Sequence, residues 1–311
     1  MRRFISILIM TVMALSLFGC VKNGGETGRT DDPGVRPNDP DRVYVAPEPR
    51  QITVEDSDGT PVTTSADNAG IASLGYQATS LLIALGAKGN IVAVDDTYDD
   101  RPLILRALPG IKELARVSTG DGIDIEMLNA AGAGLVILTD QYAQYADEIR
   151  ESGATVAVVR FETVEQVKDS ARLIGKLSNT ETQANDLASF YNAALERMDV
   201  MMSVEKPATV SVYADDPVIR ELLGHLNCNF ELDTARVVAK AGAPAPEDAI
   251  KAPDAIEPWD EPGVALVLGL YWYAHKLYPS VISKEEVVQK ARTFYATYYG
   301  VDLTAEEIGI K

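Results

Sequence analysis

Residues 71–94 read IASLGYQATSLLIALGAKGNIVAV, and this stretch decides the fold class. Ile71 to Leu74 is a short apolar strand, Gly75-Tyr76-Gln77 a loop, Ala78 to Leu85 a helix that stops at Gly86, and Ile91 to Val94 a second strand. The alternation continues downstream. The polar loop Asp95 to Arg101 is followed by a helix over Ile123 to Ala131, a buried strand at Leu135 to Leu138, a helix over Tyr142 to Ser152 and a strand at Thr155 to Val159. Short apolar strands alternating with helices predict a parallel sheet covered on both faces. In such a sheet the ligand crevice lies beyond the carboxyl ends of the strands. Those ends carry Tyr76, Gln77, Asp96, Tyr98, Arg101, Thr119, Gln141, Tyr142 and Arg160 as candidate ligand-binding residues. Any one of them reads equally well as a solvated loop residue. Upstream, Gln51 to Val54 and Thr60 to Thr63 flank the Asp-Gly turn of Asp56-Ser57-Asp58-Gly59, the pattern of a β-hairpin.

Glu162 to Leu177 is an amphipathic helix, and Glu181 to Met202 a longer one for which Thr180 is the expected N-cap. A helix of that length spans about 33 Å at 1.5 Å per residue, enough to act as a strut between two lobes. Beyond it, Thr209 to Ala214 is one clear strand and Arg236 to Ala239 a weaker candidate. Gly242 to Pro262 is proline-rich and irregular, and the chain is helical again from Val264, with Val264 to Leu277 and Lys284 to Tyr299 as the principal helices.

The chain begins with an address. Met1-Arg2-Arg3 precedes the apolar run FISILIMTVMALSLF (4–18), too short for a membrane span and suited to a signal peptide. It ends in Leu17-Phe18-Gly19-Cys20, which resembles the bacterial lipobox and makes Cys20 the expected lipid-attachment site at the outer face of the cell membrane. Residues 20–50 are rich in Gly, Pro, Asp and Asn and read as a flexible tether. With Cys20 consumed, Cys228 has no disulfide partner.

The whole sequence of 311 residues carries 28 Lys plus Arg against 46 Asp plus Glu, a net charge of −18 that argues against nucleic-acid binding. Two histidines, His225 and His275, make a His-rich metal centre improbable. The chain has no Gly-x-Ser-x-Gly elbow, His-Glu-x-x-His or P-loop motif, and no enzymatic activity or resident cofactor is expected. The acidic loop Asp95 to Asp100 lacks the glycine and terminal glutamate of a Ca²⁺ loop and reads as solvated.

The segments ITVEDSDGTPVTT, SADNAGIASLGYQATSLLIALGAKGNIVAV, LPGIKELARVSTGDGIDIEMLNAAGAGLVIL, TETQANDLASFYNAALERMD and PWDEPGVALVLGLYWYAHKLYPSVIS, in this order behind a lipobox, resemble the bacterial ABC-transporter substrate-binding lipoproteins that carry ferric siderophores, haem or cobalamin. The resemblance implies two Rossmann-like α/β lobes joined by one long helix, with the ligand held between them and delivered to a permease and ATPase. It divides the chain into a signal peptide (1–19), tether (20–50), N-terminal lobe (51–179), linking helix (180–202) and C-terminal lobe (203–311). Tyr213 and Trp259 join Tyr76, Tyr98 and Tyr142 as aromatic candidates for the cleft. Arg101 and Arg160 are the candidate cations for an anionic siderophore, and Tyr76 or Tyr98 the candidate axial ligand of a haem.

Two departures stand out. Family members often carry a permease-docking glutamate where this chain has Ser80, with Glu113 and Glu126 nearby in sequence. Between the strut and the terminal helices lie only residues 203–263, so the C-terminal lobe is expected to be abridged. Both departures also suit a non-transporting scavenger, sensor or degenerate paralogue of the same fold.

Overall fold

The computed structural model describes residues 51–65, 70–118, 122–230 and 235–310. The expected signal peptide and tether, with Cys20, and the candidate Thr119 lie outside the described residues. The described residues begin with β1 (Gln51–Glu55) and β2 (Pro61–Ser65), an antiparallel hairpin. The first lobe follows as β3 (Ile71–Leu74), α1 (Tyr76–Ala84), β4 (Ile91–Val94), α2 (Pro102–Ala107), β5 (Ala115–Arg116), α3 (Ile125–Ala130), β6 (Leu135–Leu138), α4 (Ala146–Glu151), β7 (Thr155–Val158) and α5 (Val164–Leu177). Its five strands pair in the order β5-β4-β3-β6-β7, all parallel.

Both central strands, β3 and β6, are buried at every position, as a sheet covered on two faces requires. Because side chains alternate along a strand, Leu135 and Ile137 of β6 enter one hydrophobic cluster while Val136 and Leu138 enter the other. The second cluster is closed by Leu128 of α3 and Ile149 of α4. The first runs through α1 and α5 and beyond the lobe. The hairpin docks on the sheet edge through Asp56, which accepts from the Val158 amide at 3.1 Å, while the Ser57 amide donates to the Val158 carbonyl at 3.0 Å.

A sharp turn with Asn179 at φ 57° leads into α6 (Glu181–Glu205), a helix of 25 residues packed along α5. The two helices approach so closely that a Cβ on Gly175 would lie 2.5 Å from the Ala184 Cβ. The second lobe contains β8 (Val210–Tyr213), α7 (Pro217–Leu223), β9 (Cys228–Asn229), β10 (Arg236–Val237), α8 (Leu266–Leu277), α9 (Lys284–Tyr299) and α10 (Ala305–Ile308). Its sheet has the order β10-β8-β9, extended by a bridge between Val238 and Ile250. Among the described residues this sheet has three strands, two of them only two residues long, against five in the first-lobe sheet. The lobes share one core: Leu82, Tyr191, Leu222, Trp259, Tyr271 and Phe294 all belong to the cluster that includes Ile71 of β3.

Several local expectations shift, each for a visible reason. Residues 140–145 form a 3₁₀ turn before α4 begins at Ala146, because the Tyr142 amide bonds back to the Thr139 carbonyl at 2.9 Å. Ile123 is drawn into a bridge with Ser118, so α3 starts one residue after Asp124, whose side chain caps the Met127 amide. Thr180 precedes α6 without capping it, since its hydroxyl lies 2.8 Å from that of Ser178. Ser80, expected at a docking position, is fully buried in α1, with its Oγ 2.7 Å from the Tyr299 hydroxyl. That position cannot present a side chain to a permease.

Candidate binding cleft

Strand order reverses at β3: β4 and β5 lie on one side of it, β6 and β7 on the other. Loops leaving the carboxyl ends of β3 and β6 therefore diverge and open a crevice between them. A cavity of about 230 Å³ occupies this crevice. Tyr76 and Gln77 line it after β3, Thr139, Asp140 and Gln141 after β6, and Phe161 and Glu162 after β7. Pro262 of the second lobe supplies the opposite wall.

Gly75 makes this geometry achievable. Its φ is 107°, and a Cβ there would sit 2.1 Å from Thr139 Oγ1. Its amide donates to the buried Asp95 carboxylate at 3.0 Å. Burial raises the Asp95 pKa above the usual carboxylate range, against hydrogen bonds from Tyr142, Thr97 and the Gly75 amide that lower it.

A bridge between the lobes borders the cavity. Tyr76 donates its hydroxyl to Glu261 at 2.9 Å, and Arg101 Nη1 donates to the same carboxylate oxygen at 2.8 Å. The Arg101 guanidinium also stacks over the Tyr76 ring, 3.6 Å from its centroid. Burial works to raise the Glu261 pKa, but the bond and charge of Arg101 outweigh it, and the carboxylate stays below its usual range. Burial, with the Glu261 charge, pushes the Tyr76 phenol far above its ordinary value, which opposes a tyrosinate there.

The second guanidinium is equally occupied. Arg160 Nε donates to Asp58 at 2.8 Å and its Nη1 to Asp140 at 2.9 Å. Burial raises the Asp140 pKa, and Arg160 only partly offsets this. Behind the bridge sits a buried carboxyl, Glu257. Ser80 donates to its Oε1 at 3.3 Å, and its Oε2 has no hydrogen-bond partner among the described residues. Burial pushes its pKa up to about 7.

Of the residues expected at the cleft, Tyr76, Gln77 and Gln141 line the cavity, and Arg101 and Arg160 join it through Tyr76 and Asp140. Others do not reach it. Tyr98 is buried, and its hydroxyl accepts from Arg116 at 2.9 Å, so neither ring nor oxygen faces the cavity. Tyr142 is buried and hydrogen-bonds Asp95, which ties the loop after β6 to the loop after β4. Trp259 is fully buried, with Nε1 donating to Tyr295 at 2.8 Å, so it packs the shared core instead of offering a face to a ligand. Asp96 is half-buried beside Asp95, and Tyr213 is exposed at the end of β8; neither lines the cavity.

Asp140, Phe161, Glu162 and Glu261 were not singled out from sequence. The strand-end rule that selects Gln141 and Arg160 reaches Asp140, Phe161 and Glu162, each within two residues of them. Glu261 sits in the irregular proline-rich segment, where no periodicity marks it. His225 lies 3.0 Å from Asp199, and His275 is 3.0 Å from the Ile282 carbonyl, both away from the cavity. Among the described residues no group of three His, Cys, Asp or Glu side chains is arranged to hold a metal ion. A larger hollow of about 570 Å³ lies at the far end of α6, between Asp199 and Asn227. It is a shallow surface depression lacking the converging strand ends that shape the cleft.

A family profile described as periplasmic binding protein matches residues 71–220. Three solved structures illustrate the likeness of fold. A periplasmic solute-binding protein from Veillonella parvula is 17% identical with a TM-score of 0.69, over 84% of this chain and 96% of that one. The molybdate-bound periplasmic protein MolA of Haemophilus influenzae is 15% identical with a TM-score of 0.66, over 81% and 99%. CeuE of Helicobacter pylori, as its Ni-His complex, is 13% identical with a TM-score of 0.60, over 84% and 98%. No curated protein matches the chain in sequence.

Proposed function

From the match of residues 71–220 to the periplasmic binding protein profile, we propose that the chain is the solute-binding component of an ABC importer. It captures its cargo in the cleft between the lobes and hands it to a permease and ATPase. The observation that carries this reading is the cavity at the strand-order reversal, closed from the other lobe by Pro262 and bordered by the Tyr76–Glu261–Arg101 bridge. Convergent polar side chains around a concavity, at the place where an open α/β sheet binds ligands, make a binding site. The matched profile supports a binding role over a catalytic one.

The proposed cargo is an iron chelate, a ferric siderophore or haem, or cobalamin. Ligand sites for molecules of drug size run to about 300–1,000 Å³, so the cavity of about 230 Å³ has to widen to hold the proposed cargo. A cargo of that size enters when the Glu261 bridge parts. The core shared by the lobes favours a small rotation over a wide hinge. Cys20 anchors the mature chain to the outer face of the membrane in this reading; the mass of the mature N-terminal peptide checks it. No described helix is long and apolar enough to cross a membrane.

Titration calorimetry with ferric siderophores, haem and cobalamin tests the function. Saturable binding to the full chain is expected from one class, together with its loss in Gln77→Trp, which fills the cavity, at an unchanged thermal midpoint. Binding that survives this substitution moves the site elsewhere.

A further inference from the structure

Charge accounting around the cleft points to the kind of solute it accepts. Resting on the solute-binding reading above, we propose that the cleft takes neutral or cationic solutes and turns anionic ones away, with Glu261 setting the preference.

Arg101 and Arg160 are the guanidiniums joined to the cavity, and protein carboxylates hold both. Arg101 is bonded to Glu261 at 2.8 Å with one face covered by the Tyr76 ring, and Arg160 is shared between Asp58 and Asp140. A third cation, Lys240, acts electrostatically on Glu261 and Asp260, which are themselves carboxylates. Glu162 lines the cavity with no ion-pair partner among the described residues, and its field reaches Asp140 and Arg160. Carboxylates therefore outnumber cations around the opening.

An arriving anion meets Asp140 and Glu162 first. To pair with Arg101 it must keep Glu261 from returning to that guanidinium, leaving a half-buried carboxylate without its partner, a costly exchange, and to pair with Arg160 it must displace Asp58 or Asp140. A cation or a neutral hydrogen-bond donor admitted when the bridge parts instead finds Asp140, Glu162 and the side-chain oxygens of Gln77, Gln141 and Thr139, and leaves Glu261 free to return to Arg101 and Tyr76. Like-charge juxtaposition is a recognised route to rejecting the wrong partner. Glu261 thus occupies the position on Arg101 and Tyr76 that an anionic group of a ligand would take.

Calorimetric titration of the full chain tests this with a cationic ferric trihydroxamate, a neutral one, cobalamin, an anionic ferric tricatecholate and haem. The expected result is that the cationic or neutral probes bind about tenfold or more tighter than the anionic ones. Glu261→Gln, which frees Arg101, is expected to raise the anionic-to-neutral affinity ratio about tenfold. Glu162→Gln, on an exposed position, moves the ratio the same way by less and serves if the first variant folds poorly. Anionic probes binding as tightly as neutral ones, or a ratio unmoved by both substitutions, overturns the charge preference and leaves the solute site standing. Silence from every probe overturns the solute site, and the preference with it.

Discussion

Glu257 is the residue whose environment departs furthest from its chemistry: a carboxyl in the shared core with one oxygen unpartnered among the described residues. Its pKa is pushed up from 4.5 to about 7, chiefly by burial. Between those values the native state binds more protons than the unfolded chain, so stability falls as pH rises through that window. The contribution is complete below the ordinary carboxylate range and lost above about pH 7. Asp260, pushed up to about 6 by burial, acts in the same direction over a lower window. Urea midpoints at pH 5 and pH 8 measure this. Glu257→Gln is expected to shallow the decline by on the order of 2–3 kcal/mol, leaving the share of Asp260. An undiminished decline means the carboxyl is solvated. At this scale sequence reading is strong on position and weak on direction. Counting to the ends of strands finds Tyr76, Gln77 and Gln141. It also collects Tyr98 and Tyr142, because an aromatic placed at a strand end can turn either into the crevice or back into the core. Trp259 turned back, and its indole N–H found Tyr295.

Among the elements, the α5–α6 pair is the tightest joint. Gly175 is required there chiefly by the Ala184 approach, with the Thr180 carbonyl oxygen 3.3 Å from where its Cβ would be. Gly175→Val is expected to push α6 away and cost about 1–3 kcal/mol, read as a lowered urea midpoint; an unchanged midpoint shows the helices can separate freely. The first-lobe strands β3, β4, β6 and β7 and helices α1 and α5 are legible because each is an unbroken apolar run or an amphipathic repeat, whereas β5 is too short, at two residues, to carry a pattern. β9 and β10 were faint because two residues carry no period, and their pairing with β8 is decided by tertiary contact alone. The helix α2 went unread, having only six residues behind a proline. The burial of Ser80 follows from α9 folding back onto α1, a long-range contact that no local pattern records.

At the scale of the whole molecule, one core runs through both lobes, and the cleft is a seam on its surface, closed by an ion pair and an aromatic stack. Such a seam opens by parting Glu261 from Arg101 and Tyr76 while the core keeps its packing, so capture requires little reorganisation. The fold class was legible because strand–helix alternation is repeated along the first lobe. The closure was not, since it joins Tyr76 and Arg101 to Glu261, 185 and 160 residues away in sequence. The central claim is that solute binds at this seam, and hydrogen exchange on the full chain with and without the cationic ferric trihydroxamate tests it most directly. The account predicts slowed exchange confined to 76–77, 139–141, 161–162 and 261–262. Slowed exchange around 199–207 and 224–227, at the larger hollow beyond α6, or no change at the seam would contradict it.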